Sequence, residues 1–291
     1  MALFILSILL YYHELMWKPY FAIMIVILSS IFLYSTLDFD SGYLRIDFLD
    51  VGQGDSILVT SPSGKKLLID AGRDKKVLRS IGKEMSFFDR DIDAILATHP
   101  DADHIGGFPY ILERFDVSYV LKTLASSNSS VFGLFNRRIL EEGATEIVPE
   151  RGMLIDLGEG VFVDVLFPLK DYVIDSNSGS VIVKVIYKDT SFLLMGDSTV
   201  GVEEYLVEID GYLESDVLKV GHHGSKTSTS EVFLEKVIPE YAVILAGKGN
   251  SHGHPHKVVT DLLESKSINI LSTADLGTIT IFSNGIDVWV D

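Results

Sequence analysis

The chain contains no cysteine. Disulfides and thiolate metal sites are therefore excluded, while an oxidising or a reducing compartment suits it equally. Cations are scarce: 24 Lys and Arg stand against 41 Asp and Glu, a formal charge of −17. No extended run of Lys or Arg and no basic-aromatic stripe is present, which excludes a surface with general attraction for polyanions. A phosphorylated ligand would need local positive charge, and bound divalent metal is an obvious source. No long low-complexity stretch divides residues 38–291, which argues for one domain with an extensive core.

Hydrophobic residues are plentiful at 47%, but unevenly spread. Positions 20–37, YFAIMIVILSSIFLYSTL, hold eighteen residues without a charge, and a membrane-spanning helix needs roughly 20. A shorter apolar run fills residues 1–10, and Tyr11, Tyr12, Trp17 and Tyr20 suit the headgroup layer. No Lys or Arg precedes the first run and no small-x-small site closes the second, so a retained anchor over residues 1–37 is expected rather than a cleaved signal. One or two transmembrane helices would form it. Lys18 before the second run and Asp38 and Asp40 after it place residues 38–291 outside the cytoplasm by the positive-inside rule.

Beyond residue 42, β-type runs recur: YLRIDFL, SILVT, KLLID, DAILAT, VFVDVLF, SVIVKVIY, SFLLMG, DVLKVG, YAVILAG, INILST, TITIF and IDVWV. Helical spacing is visible at 104–115, 130–142, 201–210, 230–238 and 255–265. Strands follow one another directly at both ends and alternate with helices in the middle. That order predicts two packed sheets with helices outside.

Residues 98–107 read THPDADHIGG. DAILAT is a buried strand by its pattern, so His99, Asp101, Asp103 and His104 leave its carboxyl end together. A helix opening near Ile105 tolerates anionic groups there, and Gly106 and Gly107 leave the approach clear. Seven of the eight histidines cluster at 99 and 104, at 222 and 223, and at 252, 254 and 256, each group after a β-type run. Lone histidines are usually packing residues, whereas clusters at strand ends favour metal. A polar turn with capping aspartates is the plainer reading of 98–107. Asp70, at the end of KLLID, either orients a metal-bound histidine or caps a turn.

THPDADHIGG resembles the metal-binding loop of the metallo-β-lactamase fold, and LLMGDS resembles the segment that carries its later bridging aspartate, Asp197. FLDVGQGDSILVTSPSGKKLLIDAG, VLKVGHHGSKTSTSEVFL and GHPH are similar to the carboxyl-terminal domain of the ComEC family of DNA-uptake competence proteins. The resemblance implies an αββα sandwich with two metals at its edge. His99 and Asp101 would serve the first metal, Asp103 and His104 the second, with Asp197 between them. His222 or His223 would be the next ligand, His223 being favoured, and His254 the late one. Asp55 and Asp70 would support from behind, and Asp50 and Gln53 would border the site. His256 would orient a ligand or meet the leaving group. Asp101 stands where the fold usually has histidine, and no histidine lies between 105 and 221, where another first-metal ligand is usual. The harder donor set implies two divalent ions, zinc or manganese.

Three functions follow as expectations. The first is a membrane-anchored, metal-dependent nuclease on DNA, with Asp101 or Asp103 taking a proton, Lys226 meeting a phosphate, and a competence channel protein as partner. The second is a phosphodiesterase or phosphocholine-type esterase on small or cell-surface substrates, which the acidic balance suits. The third is a non-catalytic metal-containing module. Lys226 is otherwise simply a solvated lysine, and Asn177 or Ser180 either lines the site or shapes a loop.

Overall fold

A computed structural model describes residues 17–32, 42–170, 177–209 and 211–291. The chain divides into two compact units between Phe39 and Asp40. In the first, residues 17–32 are helical with exposed side chains. Among the described residues no helix is long and apolar enough to cross a membrane. The expected first apolar run and the end of the second lie outside the described residues.

The second unit holds both sheets. β1 (Leu44–Phe48), β2 (Ile57–Thr60), β3 (Lys66–Ile69), β4 (Asp91–Ala97), β5 (Asp116–Lys122) and β6 (Thr145–Ile147) form the first with β14 (Ile279–Ser283) and β15 (Val288–Val290), in the order β15-β14-β1-β2-β3-β4-β5-β6. The second contains β7 (Leu154–Asp156), β8 (Val161–Phe167), β9 (Ile182–Tyr187), β10 (Thr190–Leu194), β11 (Val217–Lys219), β12 (Tyr241–Ile244) and β13 (Asn269–Ser272), in the order β13-β12-β11-β10-β9-β8-β7. Strands β3 to β6 run parallel, as do β10 to β13, and the remaining pairs are antiparallel.

The strand period of two splits each central strand between two cores. Ile57, Val59, Ala94, Leu96, Phe192, Leu194 and Val243 fill the space between the sheets. Their neighbours Leu58, Ile95 and Ala97 pack outward on helices Lys76–Glu84 and Ser130–Glu142. Leu193, Ala242 and Ile244 do the same on the second sheet, beneath helices Val200–Ile209, Glu231–Val237 and Lys257–Ser265. Strands covered on both faces must be apolar throughout, which is why KLLI and YAVI alternate so little. The expected four-layer α/β sandwich is the observed fold.

The details depart at residues 104–115. The helical spacing at 104–115 is two short pieces, Ala102–Ile105 and Phe108–Ile111, broken at Gly106 and Gly107. The break brings backbones together. A Cβ on Gly106 would lie 2.0 Å from the Arg73 carbonyl oxygen, and one on Gly107 would lie 1.9 Å from that of Ala71. These glycines serve close packing beneath the site rather than access to it.

Candidate metal centre

The parallel strands set the site. In a sheet of this kind, ligands gather beyond the carboxyl ends of the strands. Register pairs Ile69 with Leu96, Leu194 with Lys219, and Lys219 with Val243. The loops after β3, β4, β10 and β11 therefore emerge side by side, carrying Asp70, His99 to His104, Asp197, and His222 with His223.

Asp70 is fully buried, with a left-handed φ of 56°. Its Oδ1 accepts the Thr98 N–H at 2.9 Å. Its Oδ2 accepts the Thr98 hydroxyl at 2.7 Å and faces His104 Nδ1 at 2.7 Å. An ionised carboxylate only accepts, so His104 carries its proton on Nδ1. The Thr98 hydroxyl, its one proton given to Asp70, can only accept from His99 Nδ1 at 3.0 Å. Both rings are thereby fixed with lone pairs on Nε2, the form a metal requires. Ser180 closes the back of His99, with Oγ 3.3 Å from Nδ1, and accepts the Asp197 N–H at 3.2 Å.

The second sheet supplies the facing side. His222 and His223 both adopt left-handed backbone, at φ 48° and 55°. Two such residues in succession cost about 1–3 kcal/mol each, and extended backbone would send neighbouring side chains to opposite faces. Here both rings reach Asp197, whose Oδ2 lies 3.3 Å from His104 Nε2, 3.5 Å from His223 Nε2, 3.7 Å from His222 Nε2 and 4.0 Å from His99 Nε2. Asp101 Oδ2 is 3.7 Å from His99 Nε2, and Asp103 Oδ2 is 3.8 Å from His223 Nε2.

His223 is oriented from behind: its Nδ1 lies 2.9 Å from the Leu245 carbonyl and 3.1 Å from Asp55 Oδ1. Asp55 in turn receives the ammonium of Lys219, which also donates to the Gly196 carbonyl at 2.8 Å. Lys219 and Thr98 were not among the expected site residues. The signal for Lys219 was a lysine inside DVLKVG, a strand with no exposed face.

Charge is concentrated in this volume. Burial would raise Asp55, but Lys219 and then His223 hold it down at about 2. Burial opposes ionisation of Asp197 as well, and His223 and His104 overcome it, leaving the carboxyl well below its usual range. Burial, with the neighbouring His104, pushes His99 well below the usual histidine range. Burial lowers His104 and His223 too, yet Asp197 together with Asp70 in the first and with Asp55 in the second outweighs it, and both rings are raised. The carboxylates thus call for positive charge at the imidazole edges, which a divalent cation provides without protonating Nε2.

The donor set fits such a cation. Nε2 of His99, His104 and His223 and Oδ1 of Asp197 are buried without a hydrogen-bond partner among the described residues. Ligand atoms of His99, His104 and Asp197 lie within 4.8 Å of one another, as do those of Asp103, His104 and His223.

The other expected residues lie at the rim. His222 is partly exposed, with Nε2 3.4 Å from Asn177 Nδ2. The His254 ring stands 5.6 Å from that of His222 and 6.1 Å from that of His223, and no three-residue ligand group among the described residues includes it. His256 Nδ1 accepts the Lys226 N–H at 3.1 Å, and Lys226 is exposed. Gln53 Oε1 accepts the Gly247 N–H, and exposed Asp50 caps its own turn at Gly52.

An αββα sandwich with paired His and Asp at its strand ends defines a class. Residues 49–248 match the metallo-beta-lactamase superfamily, and the chain belongs to it as a hydrolase of that fold. Among its relatives is ComE operon protein 3 of Bacillus subtilis, 32% identical over 87% of this chain and 34% of that one. Exodeoxyribonuclease WalJ of Streptococcus pneumoniae is 26% identical over 78% of this chain and 91% of its own. The chain spans about a third of the length of ComE operon protein 3, of Competence protein ComA of Neisseria gonorrhoeae and of Recombination protein 2 of Haemophilus influenzae. The solved metallo-beta-lactamase fold protein YhfI of Bacillus subtilis aligns with a TM-score of 0.55 at 10% identity, over 85% of this chain and all of its own, a likeness of fold alone. The fold family implies divalent metal ions.

Proposed function

We propose that this protein is a phosphodiesterase of DNA, a nuclease of competence-type uptake, held at the outer face of a membrane by the segment before residue 38. The observation that carries the hydrolytic part is the convergence of three buried, unpartnered imidazole nitrogens on Asp197. The DNA substrate is supported by the names of Competence protein ComA and Exodeoxyribonuclease WalJ among the relatives. A competence channel protein would be its partner.

His99, Asp101 and Asp197 would hold one ion, and Asp103, His104, His223 and Asp197 the other, with His222 and His254 closing the rim. Such ions supply Lewis acidity toward a phosphoryl oxygen and acidify a water. Mixed imidazole and carboxylate donors suit manganese or zinc. Asp70, Thr98 and Asp55 keep the imidazoles in the binding tautomer. Asp101, 43% exposed at its side chain, or Asp103 would accept a proton at the cleft. Lys226 faces solvent on the His222–His223 turn and would meet a phosphate.

The full chain, loaded with manganese or zinc, should cleave single- or double-stranded DNA and bis-p-nitrophenyl phosphate, and a chelator should stop it. Asp197→Ala should abolish turnover while the protein still folds. Cleavage of the small ester without any cleavage of DNA would favour the phosphocholine-type reading, which the charge of −17 independently suits. No turnover on either would leave a binding module.

A further inference from the structure

A small cleft, of about 170 Å³, opens between the 50s loop, the start of helix Lys76–Glu84 and the 250s loop. Gln53, Arg73, Asp74, Lys76, Asn250 and His252 line it. We propose that it binds a phosphate of the nucleic-acid backbone flanking the scissile one, a reading that rests on the phosphodiesterase function above.

The hydrogen bonds leave this cleft rich in donors. Gln53 Oε1 is engaged by the Gly247 N–H at 3.1 Å, so its amide NH2 is the end left over. Asn250 is fully used in shaping the loop. Its Nδ2 donates to the Gly247 and His254 carbonyls, and its Oδ1 accepts from the His252 and His254 N–H groups. The Asp74 Oδ1 accepts the Lys76 N–H at 2.8 Å, which commits that carboxylate oxygen to the helix start. Among the described residues, neither the Arg73 guanidinium nor the Lys76 ammonium has an ion-pair partner. Two unpaired cations sharing one cleft are conspicuous on a chain of charge −17. A planar guanidinium, an ammonium and an amide NH2 together suit the oxygens of a tetrahedral phosphate.

The cleft is joined to the metal centre through backbone. A Cβ on Gly54 would lie 2.1 Å from the Asp103 carbonyl oxygen, and one on Gly247 would lie 2.7 Å from Gln53 N. The Arg73 carbonyl abuts Gly106, two residues beyond His104. On the other wall, the His252 ring stacks on His254 at 5.6 Å. On this reading, a strand with its scissile phosphate at Asp197 would run past Asp103 and Gln53 toward Arg73 and Lys76. The cleft would set the polarity of the bound strand.

The test compares the full-length wild type with Arg73→Ala/Lys76→Ala and with Arg73→Lys/Lys76→Arg. One readout is kcat/KM on an oligodeoxynucleotide divided by kcat/KM on bis-p-nitrophenyl phosphate, which has no flanking phosphate. Losing charge-assisted contacts should lower that ratio by about tenfold or more. The other readout, taken in chelator, is the salt dependence of oligonucleotide binding, whose log–log slope should shrink by roughly 0.7 for one phosphate lost. The charge-conserving variant should keep most of both. A fall confined to 5′-phosphorylated strands identifies a terminal phosphate as the ligand, whereas an equal fall on 5′-hydroxyl strands identifies an internal phosphodiester. An unchanged ratio together with an unchanged slope overturns the proposal. If the metal-loaded wild type cleaves neither substrate, the phosphodiesterase reading fails, and the slope in chelator still decides whether the cleft holds phosphate.

Discussion

Thr98 shows how far one hydroxyl can reach. Its proton goes to Asp70 and its lone pair to His99, so a single carboxylate sets the tautomers of two imidazoles. Thr98→Val keeps the shape and removes the link. Metal affinity should fall by about 10–100-fold, the range seen when groups supporting metal ligands are removed, while Thr98→Ser should keep it. Equal affinity in the valine and serine variants, measured by titration calorimetry, would remove Thr98 from the network. That role was hidden in the sequence, because threonine is ordinary at the end of a strand. The His and Asp residues were visible through their clustering. The joint presentation of His222 and His223 was not, since it depends on two left-handed residues in a row.

On β1, outside the ligand cluster, Asp47 offers a test of sign. Burial pushes its carboxyl up from 3.8 to about 6, against the pull of Arg45 and the Thr280 hydroxyl. The folded state therefore holds the proton more tightly than the unfolded chain. This contribution to stability is complete below pH 3.8 and is lost as pH rises through about 6. Denaturation curves of Asp47→Asn should lose that part of the pH dependence. An identical slope across the same window would show that Asp47 does not titrate as described.

At the level of elements, the central strands were legible because burial on both faces demands continuous apolar runs. β5, β6 and β7 were not expected as strands. β6 and β7 are three-residue edge strands, and β5, next to the edge, exposes Asp116, Ser118 and Tyr119. Helix Lys76–Glu84 was also missed, because Val77, Ser80 and Ile81 are its only buried positions within a charged stretch. Glycines give the elements a clean contrast. Gly54, at φ 126°, has the Asp103 backbone where a Cβ would go, whereas Gly133 lies inside helix Ser130–Glu142 with open space around it. Gly54→Ala should cost about 1–3 kcal/mol of stability and disturb Asp103. Gly133→Ala should add about 0.5–1 kcal/mol. Thermal melts of the two variants should move in opposite directions, and a shared direction would mean that the packing around Gly54 is looser than described.

For the whole molecule, the candidate ligands are divided between the two sheets. His99, Asp103 and His104 follow β4 of the first, and Asp197 and His223 follow β10 and β11 of the second. The buried Lys219–Asp55 pair crosses the same boundary. Metal should therefore stabilise the domain by mass action, by about 2.7 kcal/mol at a hundredfold excess over Kd. Chelation should lower the melting temperature, and it should speed amide exchange at the ends of β3, β4, β10 and β11 together. Faster exchange in one sheet alone would show that its ligands bind metal unaided.

Neither layer owns a whole site, so chemistry has to wait for folding. A half-assembled chain carries the His99–His104 loop apart from Asp197 and His223, and the ligand set is incomplete. Hydrolytic capacity would arise only when the last layer closes, which makes completion of the sandwich itself the safety catch.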